Sequence, residues 1–378
     1  MNAYKYFETL SDRCKYIFNI IQKYGPITKN QLLIKTQLKL TTLNRDIKNL
    51  IARKMVIETA TAESTGGRKP TLYDVNPGDF YMIGIDISRT YTQIIITNLK
   101  YRIMAEKRID DAYEVNEVIK TISVNVSDLI KASNIDKSMI VGIGIGIVME
   151  LNTKVLYTKL TAAYQVPVSI DNGANAAVIG EHFLGFGKDK KNIAYIHCGV
   201  GIRTGVISSD ILIRAINSSE DALGHMIVGN HGDLCPDGND GCVETYASII
   251  NITQKFICQE GKIVKRILNK NLNEISYIDV CHLAENNNII AKKIISNSAL
   301  HFGIGLANFI RLLDPQLIIL SGPLIQHSQL FYDECKKVAL EQCHVINNQI
   351  KFNKGGYFEN YSISVGASIM VIQEIINS

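Results

Sequence analysis

Eight cysteines among 378 residues are too few and too scattered for a secreted disulfide scaffold, and they favour a reducing compartment. Long hydrophobic runs are missing as well. The longest, Met139 to Met149, has 11 residues broken by glycines, which is too short to span a bilayer. The opening stretch, Met1 to Ile20, lacks the apolar run of a signal peptide. Hydrophobic residues at 46% and charged residues at 20% are an ordinary globular balance that excludes wholesale disorder. Together these features predict a soluble, cytoplasmic protein. At roughly 150 residues per domain, the length predicts two or three domains.

The charge is unevenly placed. Residues 1–75 hold 13 basic and 6 acidic residues, a net of +7. Beyond them lie 27 of the 40 basic and 30 of the 36 acidic residues, a net of −3. A small basic module on a mildly acidic body implies that one end meets a polyanion.

Within that module, Ser11 is placed to cap a helix whose apolar positions Tyr16, Ile17, Ile20, Ile21 and Tyr24 follow a 3.6-residue period. Gly25-Pro26 ends it. Thr28 and Gln31 have capping-box spacing and open a second helix through about Lys35. A third helix follows, with Leu40, Leu43, Ile47 and Leu50 as its expected buried stripe. Its other face carries Thr41, Thr42, Asn44, Arg45, Lys48 and Asn49, with Asp46 the one acid nearby. Arg reads guanine edges, Asn reads adenine, and Thr and Lys hold phosphates.

Two β-prone runs, Met55 to Ala60 and Thr71 to Val75, flank a tip over residues 63–70 that carries Arg68 and Lys69. Helix, helix, helix, hairpin is the order of a winged helix-turn-helix. A tip arginine suits a narrow, A·T-rich minor groove. The other reading of the same residues is a three-helix interaction module with a basic hairpin. On the first reading the DNA contacts are Thr41, Thr42, Asn44, Arg45, Lys48, Arg68 and Lys69.

The segments Leu38-Lys39-Leu40-Thr41-Thr42-Leu43-Asn44-Arg45 and Gly66-Gly67-Arg68-Lys69-Pro70 resemble the DNA-binding head of ROK-family (repressor, open reading frame, kinase) regulators, of the xylose or N-acetylglucosamine sugar-repressor type. That resemblance implies a winged head over residues 1–78 and a sugar-kinase-like body over 79–378.

The body itself reads as α/β. Phe80–Ser88, Tyr91–Leu99 and Tyr101–Lys107 are predicted as consecutive strands, 113–133 as a helix and Met139–Val148 as a buried strand. After a helix over Asn175–Leu184, the paired strands Asn192–Val200 and Ile202–Ser209 repeat that opening. Helices near 241–258 and 287–312, a strand at Leu317–Leu320 and helices near 328–344 and 366–377 complete the chain. The repetition predicts two lobes, about 79–190 and 191–378, with a cleft between them. The order is similar to the actin-like, duplicated ribonuclease H-like fold of ROK sugar kinases. In such a fold the terminal helix can pack back on the first lobe. Gly224-His225-Met226 and Gly241 through Ser248 carry the strongest part of the likeness.

Phosphoryl transfer needs a base for the substrate hydroxyl proton and backbone donors near the phosphates. The family's Asn-Asp-Ala-Asn motif reads Asn172-Gly173-Ala174-Asn175 here, so the base position holds glycine. The family's Asp-x-Gly-Gly-Thr loop reads Asp86-Ile87-Ser88-Arg89-Thr90, and its Gly-Thr-Gly-Ile-Gly loop reads Gly199-Val200-Gly201-Ile202-Arg203. Near the adenosine side, Gly-Gly has become Ser321-Gly322. These departures predict no kinase and no ATP.

The resemblance further implies that Asn172, His225 and Glu244 contact a sugar, while the family's Glu before that His is Ala222 and its Pro-Gly loop is Val148-Met149. It also implies zinc on His225, Cys235, Asp237 and Cys242, where Asp237 replaces a family Cys; His231 is a further possible ligand. The zinc role would be structural, fixing His225 beside the sugar pocket. Cys14, Cys198, Cys258, Cys281, Cys335 and Cys343 lack ligand spacing and read as core or surface residues. The expected function is a DNA-binding regulator, which the resemblance implies is a repressor, acting on duplex operator DNA as a homodimer or tetramer. A sugar or sugar phosphate is its expected effector. An ATP-dependent sugar kinase, and a regulator answering to a protein partner instead of a sugar, remain the alternatives.

Overall fold

The computed structural model describes residues 2–59, 70–110, 115–148, 151–214, 222–229, 234–235, 238–343 and 350–377, with backbone alone at 115–116 and 261–267. The chain divides into two compact units. One comprises Met1–Leu184 with Tyr361–Ser378, the other Gly185–Asn360.

The basic module opens the first unit. Its helices are Asp12–Tyr24, Lys29–Thr36 and Leu40–Ala52, preceded by the short helix Tyr4–Glu8. Ser11 caps the first of the three by accepting from Cys14 N at 3.4 Å. Thr28 and Gln31 form the expected capping box: Gln31 N donates to Thr28 Oγ1 and Thr28 N donates to Gln31 Oε1. Strands Val56–Thr59 and Leu72–Val75 pair antiparallel, and Ile27–Thr28 adds a third strand beside Leu72–Val75. Leu43, Ile47 and Leu50 are buried, together with Ile17, Phe18 and Ile21.

Two expected core positions are corrected. Leu40 is 51% exposed because it is the first residue of its helix, ahead of the packed turns. Tyr16 is 50% exposed, and its hydroxyl donates to Lys35 O at 3.2 Å on the neighbouring helix. A tyrosine satisfies helical apolar periodicity while leaving its polar end in water.

The module is fastened to the body of the same unit. Phe7 stands edge-on to both Phe18 and Phe80, with ring centroids at 5.4 and 5.2 Å. Lys100, on a turn of the body, is ion-paired with Asp74 at the root of the hairpin. Gln22 Nε2 donates to Leu99 O at 3.0 Å, and Gln373 Nε2 donates to Asn19 Oδ1 at 3.0 Å.

Both units carry a five-stranded mixed sheet of one design. In the first, the spatial order is Ile103–Ile109, Thr92–Asn98, Tyr81–Ile87, Ile140–Ile147, Val168–Asn172. The first three strands are antiparallel and the last two run parallel to Tyr81–Ile87. In the second, the order Ile211–Ile213, Ile202–Ser208, Ile193–Cys198, Leu317–Ser321, Lys351–Lys354 repeats that pattern of directions. Each sheet buries an Ile-rich face, as strands covered on both sides do.

The glycines that interrupt the apolar run at 139–149 have a steric reason. A Cβ on Gly144 would collide with Ala367 O, and one on Gly84 with Ser364 O, so the C-terminal helix Ser362–Asn377 lies directly on the sheet backbone. Gly366 meets Ala176 O of helix Gly173–Phe183 in the same way. That packing draws the last residues into the first unit and sets the first break in the chain after Leu184.

Candidate functional site

The helix Leu40–Ala52 divides cleanly. Leu43, Ile47 and Leu50 face inward, while Thr41, Arg45, Lys48 and Asn49 are exposed and Thr42 and Asn44 are partly exposed. Asp46, the one acid on this helix, is buried at 4% and ion-paired to Arg13 and Arg45. The exposed face therefore presents cations, amides and hydroxyls with no exposed carboxylate of its own. Arg68 and Lys69 lie outside the described residues. Sequence reasoning missed Arg13; the signal available was a cation in the first turn of a helix that must pack against the third.

In the first unit, strand Val168–Asn172 leads directly into helix Gly173–Phe183, whose N-cap is Asn172. Asn172 Oδ1 accepts from Ala174 N at 2.7 Å; its Nδ2 is buried and has no hydrogen-bond partner. A buried amide donor without an acceptor costs roughly 1–3 kcal/mol, so such a group invites a ligand oxygen. Asp171 Oδ1 accepts from Asn172 N and Asn175 Nδ2, both at 2.8 Å, so this carboxylate supports the helix start.

Position 173 has little room for a side chain. A Cβ on Gly173 would lie 2.6 Å from Val148 Cγ2 and 3.2 Å from Ile363 Cδ1. A side chain at position 173 would have to displace two methyl groups.

At the first phosphate loop, Asp86 is buried and its Oδ2 accepts from the Tyr91 hydroxyl at 2.8 Å. Burial pushes the Asp86 carboxyl up to about 7, with the Tyr91 hydrogen bond and the charge of Arg108 opposing. Arg108 stacks on the Tyr91 ring at 3.9 Å. Arg89 is exposed.

The second unit has its own closure. Arg203 Nη1 lies 3.3 Å from Glu244 Oε2, which also accepts from Ile202 N at 2.8 Å. Both side chains crowd Gly201, where a Cβ would stand 2.8 Å from each. Glu244, expected at the sugar, is thus tied to the second phosphate loop. His197, paired across the strands with Arg203, is held down to about 4 by burial and by that neighbouring charge.

His225, Cys235 and Cys242 come together: one donor atom from each lies within 4.8 Å of the others. The loop that gathers them turns at Gly238 and Gly241, with φ of 81° and 75°. At Gly241 a side chain would also strike Gly229 O. Val228 N donates to Gly241 O and Val243 N to Met226 O, which holds Cys242 opposite the His225 segment. Two thiols and an imidazole are a soft donor set suited to zinc. Asp237, His231 and Met149 lie outside the described residues. Among the described residues, no helix is long and apolar enough to cross a membrane.

Residues 82–374 match the ROK family model. The xylose repressor of Bacillus subtilis (strain 168) is 29% identical over 327 residues, 82% of each chain. A crystal structure of a ROK family transcriptional regulator, a homolog of the E. coli MLC protein, covers 96% of both chains with a TM-score of 0.79 and 19% identity. A ROK family glucokinase from Streptomyces griseus, solved with glucose and AMPPNP, covers 78% of this chain and 99% of its own, with a TM-score of 0.67 and 21% identity. These two likenesses establish the mixed α/β, sugar-kinase-like fold. With the family match spanning most of its length, the chain belongs to the ROK family.

Proposed function

We propose that this protein is a sequence-specific DNA-binding repressor whose kinase-like body performs no phosphoryl transfer. The observation that carries the reading is the polar face of helix Leu40–Ala52, which presents Thr41, Thr42, Asn44, Arg45 and Lys48 beside a buried apolar stripe. With the paired strands Val56–Thr59 and Leu72–Val75, the module is a winged helix-turn-helix, and this helix is the one that enters the major groove. Arg68 and Lys69, which lie between those strands in the sequence, are the further proposed contacts. Named relatives support the reading: a xylose repressor and an N-acetylglucosamine repressor of E. coli are among the similar proteins.

The reading of lost catalysis rests on Gly173, which offers no carboxylate and is packed against Val148 and Ile363, and on the Arg203–Glu244 pair packed against Gly201. The body instead takes an effector, a sugar or sugar phosphate. Within the first unit, Asn172 supplies a buried donor without a partner for such a ligand. His225, Cys235 and Cys242 would hold zinc, with the fourth ligand from Asp237 or His231, and the metal would fix the loop that carries His225. A homodimer or tetramer would place two heads on an operator with two half-sites. Effector binding shifts operator affinity only to the extent that it prefers one state of the body.

Fluorescence anisotropy of labelled DNA from upstream of the protein's own gene, titrated with salt and repeated with a sugar panel, tests this. Tighter binding than to random duplex, altered by one sugar, supports the reading. Sugar-dependent ATP turnover by the unmodified protein overturns it.

A further inference from the structure

Asp46 is the single carboxylate among the cations of the recognition face, and two guanidiniums share it. Arg13, from the first turn of helix Asp12–Tyr24, engages it with Nε on Oδ2 and Nη2 on Oδ1, the latter at 3.3 Å. Arg45, the next residue before it on the recognition helix, brings Nε to Oδ1 at 3.4 Å. The carboxylate is 5% exposed, Arg13 is 39% exposed and Arg45 is 71% exposed. The Arg13 hydrogen bond holds the Asp46 carboxyl below the usual carboxylate range, with help from Arg45, so the acid stays ionised at neutral pH.

The contact geometry matters for recognition. A guanidinium reads guanine O6 and N7 with two parallel N–H donors. When Asp46 holds Arg45 by its Nε edge, the terminal Nη pair is the fork left for a base. Free in solution, the same side chain would spread over many rotamers and lose entropy on binding. Arg13 differs: its Nε and Nη2 are committed to Asp46, and Nη1 takes none of its hydrogen bonds with that acid. The N–H donors that Arg13 keeps beyond this contact suit a phosphate oxygen, which charged guanidinium groups bind strongly. The trio keeps a net charge of +1 on the polyanion-facing side of the module.

We propose that Arg13 is a phosphate contact of the DNA interface, and that Asp46 is a positioning residue that presents the Arg45 fork to one base pair. The inference rests on the reading of this module as the DNA-binding head. It adds a cation from outside the recognition helix and gives the one acid on that helix a role in specificity.

The test uses the full chain and a duplex that the wild-type protein enriches from a random-sequence library, with an unselected duplex as reference. Anisotropy titrations across salt give both an affinity ratio and a salt slope. Arg13→Met is expected to weaken binding to both duplexes alike and to lower the salt slope by about 1. Arg13→Lys is expected to keep the slope. Asp46→Asn retains both arginines, so its slope stays at the wild-type value while the selected-to-unselected ratio falls about tenfold, with the loss confined to one base-pair position. A merely structural ion pair would lower the folded fraction, visible in thermal unfolding, and would move neither slope nor positional preference in the molecules that remain folded. An unchanged slope in Arg13→Met overturns the phosphate contact. An unchanged ratio in Asp46→Asn overturns the positioning role. Failure of the wild-type protein to enrich any sequence overturns the DNA-binding reading itself, and this inference with it.

Discussion

Val148 and Gly173 fit as a pair: the Val148 Cγ2 methyl stands 2.6 Å from the point that a Cβ on residue 173 would occupy. Ile363, from the C-terminal helix, closes the same space at 3.2 Å. Reinstating the carboxylate is therefore a packing problem before it is a chemical one.

Gly173→Asp is expected to destabilise the first unit by about 1–3 kcal/mol through overpacking and to produce no ATP turnover. Adding Val148→Gly should recover part of that loss, since it removes the nearer methyl. Turnover should still be absent, because Arg203 and Glu244 continue to crowd the second loop. Thermal unfolding and a coupled ATPase assay on both variants check this; turnover in the single variant would show that one residue had silenced the site, and turnover in the double that two had.

Lys100 and Asp74 join the head to the body through one ion pair in which Asp74 is almost wholly buried. Removing only the cation strands a buried carboxylate. Lys100→Met is expected to cost about 3 kcal/mol, and Asp74→Asn added to it should restore much of that. A double-mutant cycle by thermal unfolding measures the coupling, and strict additivity would show that the pair is not the fastening.

Much of this architecture was legible beforehand. Ser11, Thr28 and Gln31 announced helix starts by local chemistry, and Leu43, Ile47 and Leu50 by period. The paired strands that open each unit are apolar runs with tight turns. What escaped was tertiary. Helix Thr153–Tyr164 was not anticipated, although Asn152 caps it and Leu156, Leu160 and Tyr164 recur every fourth residue on its buried side. Strand Lys351–Lys354 is a short edge strand with mostly polar residues, so no apolar alternation marks it. The motif departures at 173 and 203 showed which groups were lost. That Val148 and Ile363 pack against position 173, and Glu244 against Gly201, is a property of packing, which a linear motif does not carry.

Stability should respond to pH through two buried groups with opposite signs. Asp86 titrates at about 7 in the fold against 3.8 ordinarily, because burial disfavours its charge. The stability tied to its neutral form is full below pH 4 and is lost as pH rises to about 7. Asp86→Asn should remove that decline, so the melting-temperature gap between variant and wild type should move in the variant's favour from pH 5 to pH 8. His197, lowered from 6.5 to about 4, contributes above pH 6.5 and its contribution fades as pH falls toward 4. His197→Gln should flatten the acid limb. Parallel pH profiles for wild type and variants would contradict both assignments.

The gathered donors of His225, Cys235 and Cys242 predict about one zinc per chain after purification in zinc-containing medium. Cys242→Ser should lose the metal, and a chelator should lower the melting temperature of the wild type but not of the variant. Native mass spectrometry gives the count; an apo wild type with chelator-insensitive melting would contradict the site.

The exposed face of helix Leu40–Ala52 is proposed to read base sequence. Competition anisotropy at physiological salt, with a library-selected duplex against unselected DNA, tests it most directly when wild type is compared with Asn44→Ala. A wild-type preference of at least about 10³-fold is expected, reduced in Asn44→Ala by a loss at one base-pair position. Equal binding of both duplexes, falling together with salt in wild type and variant alike, would contradict it.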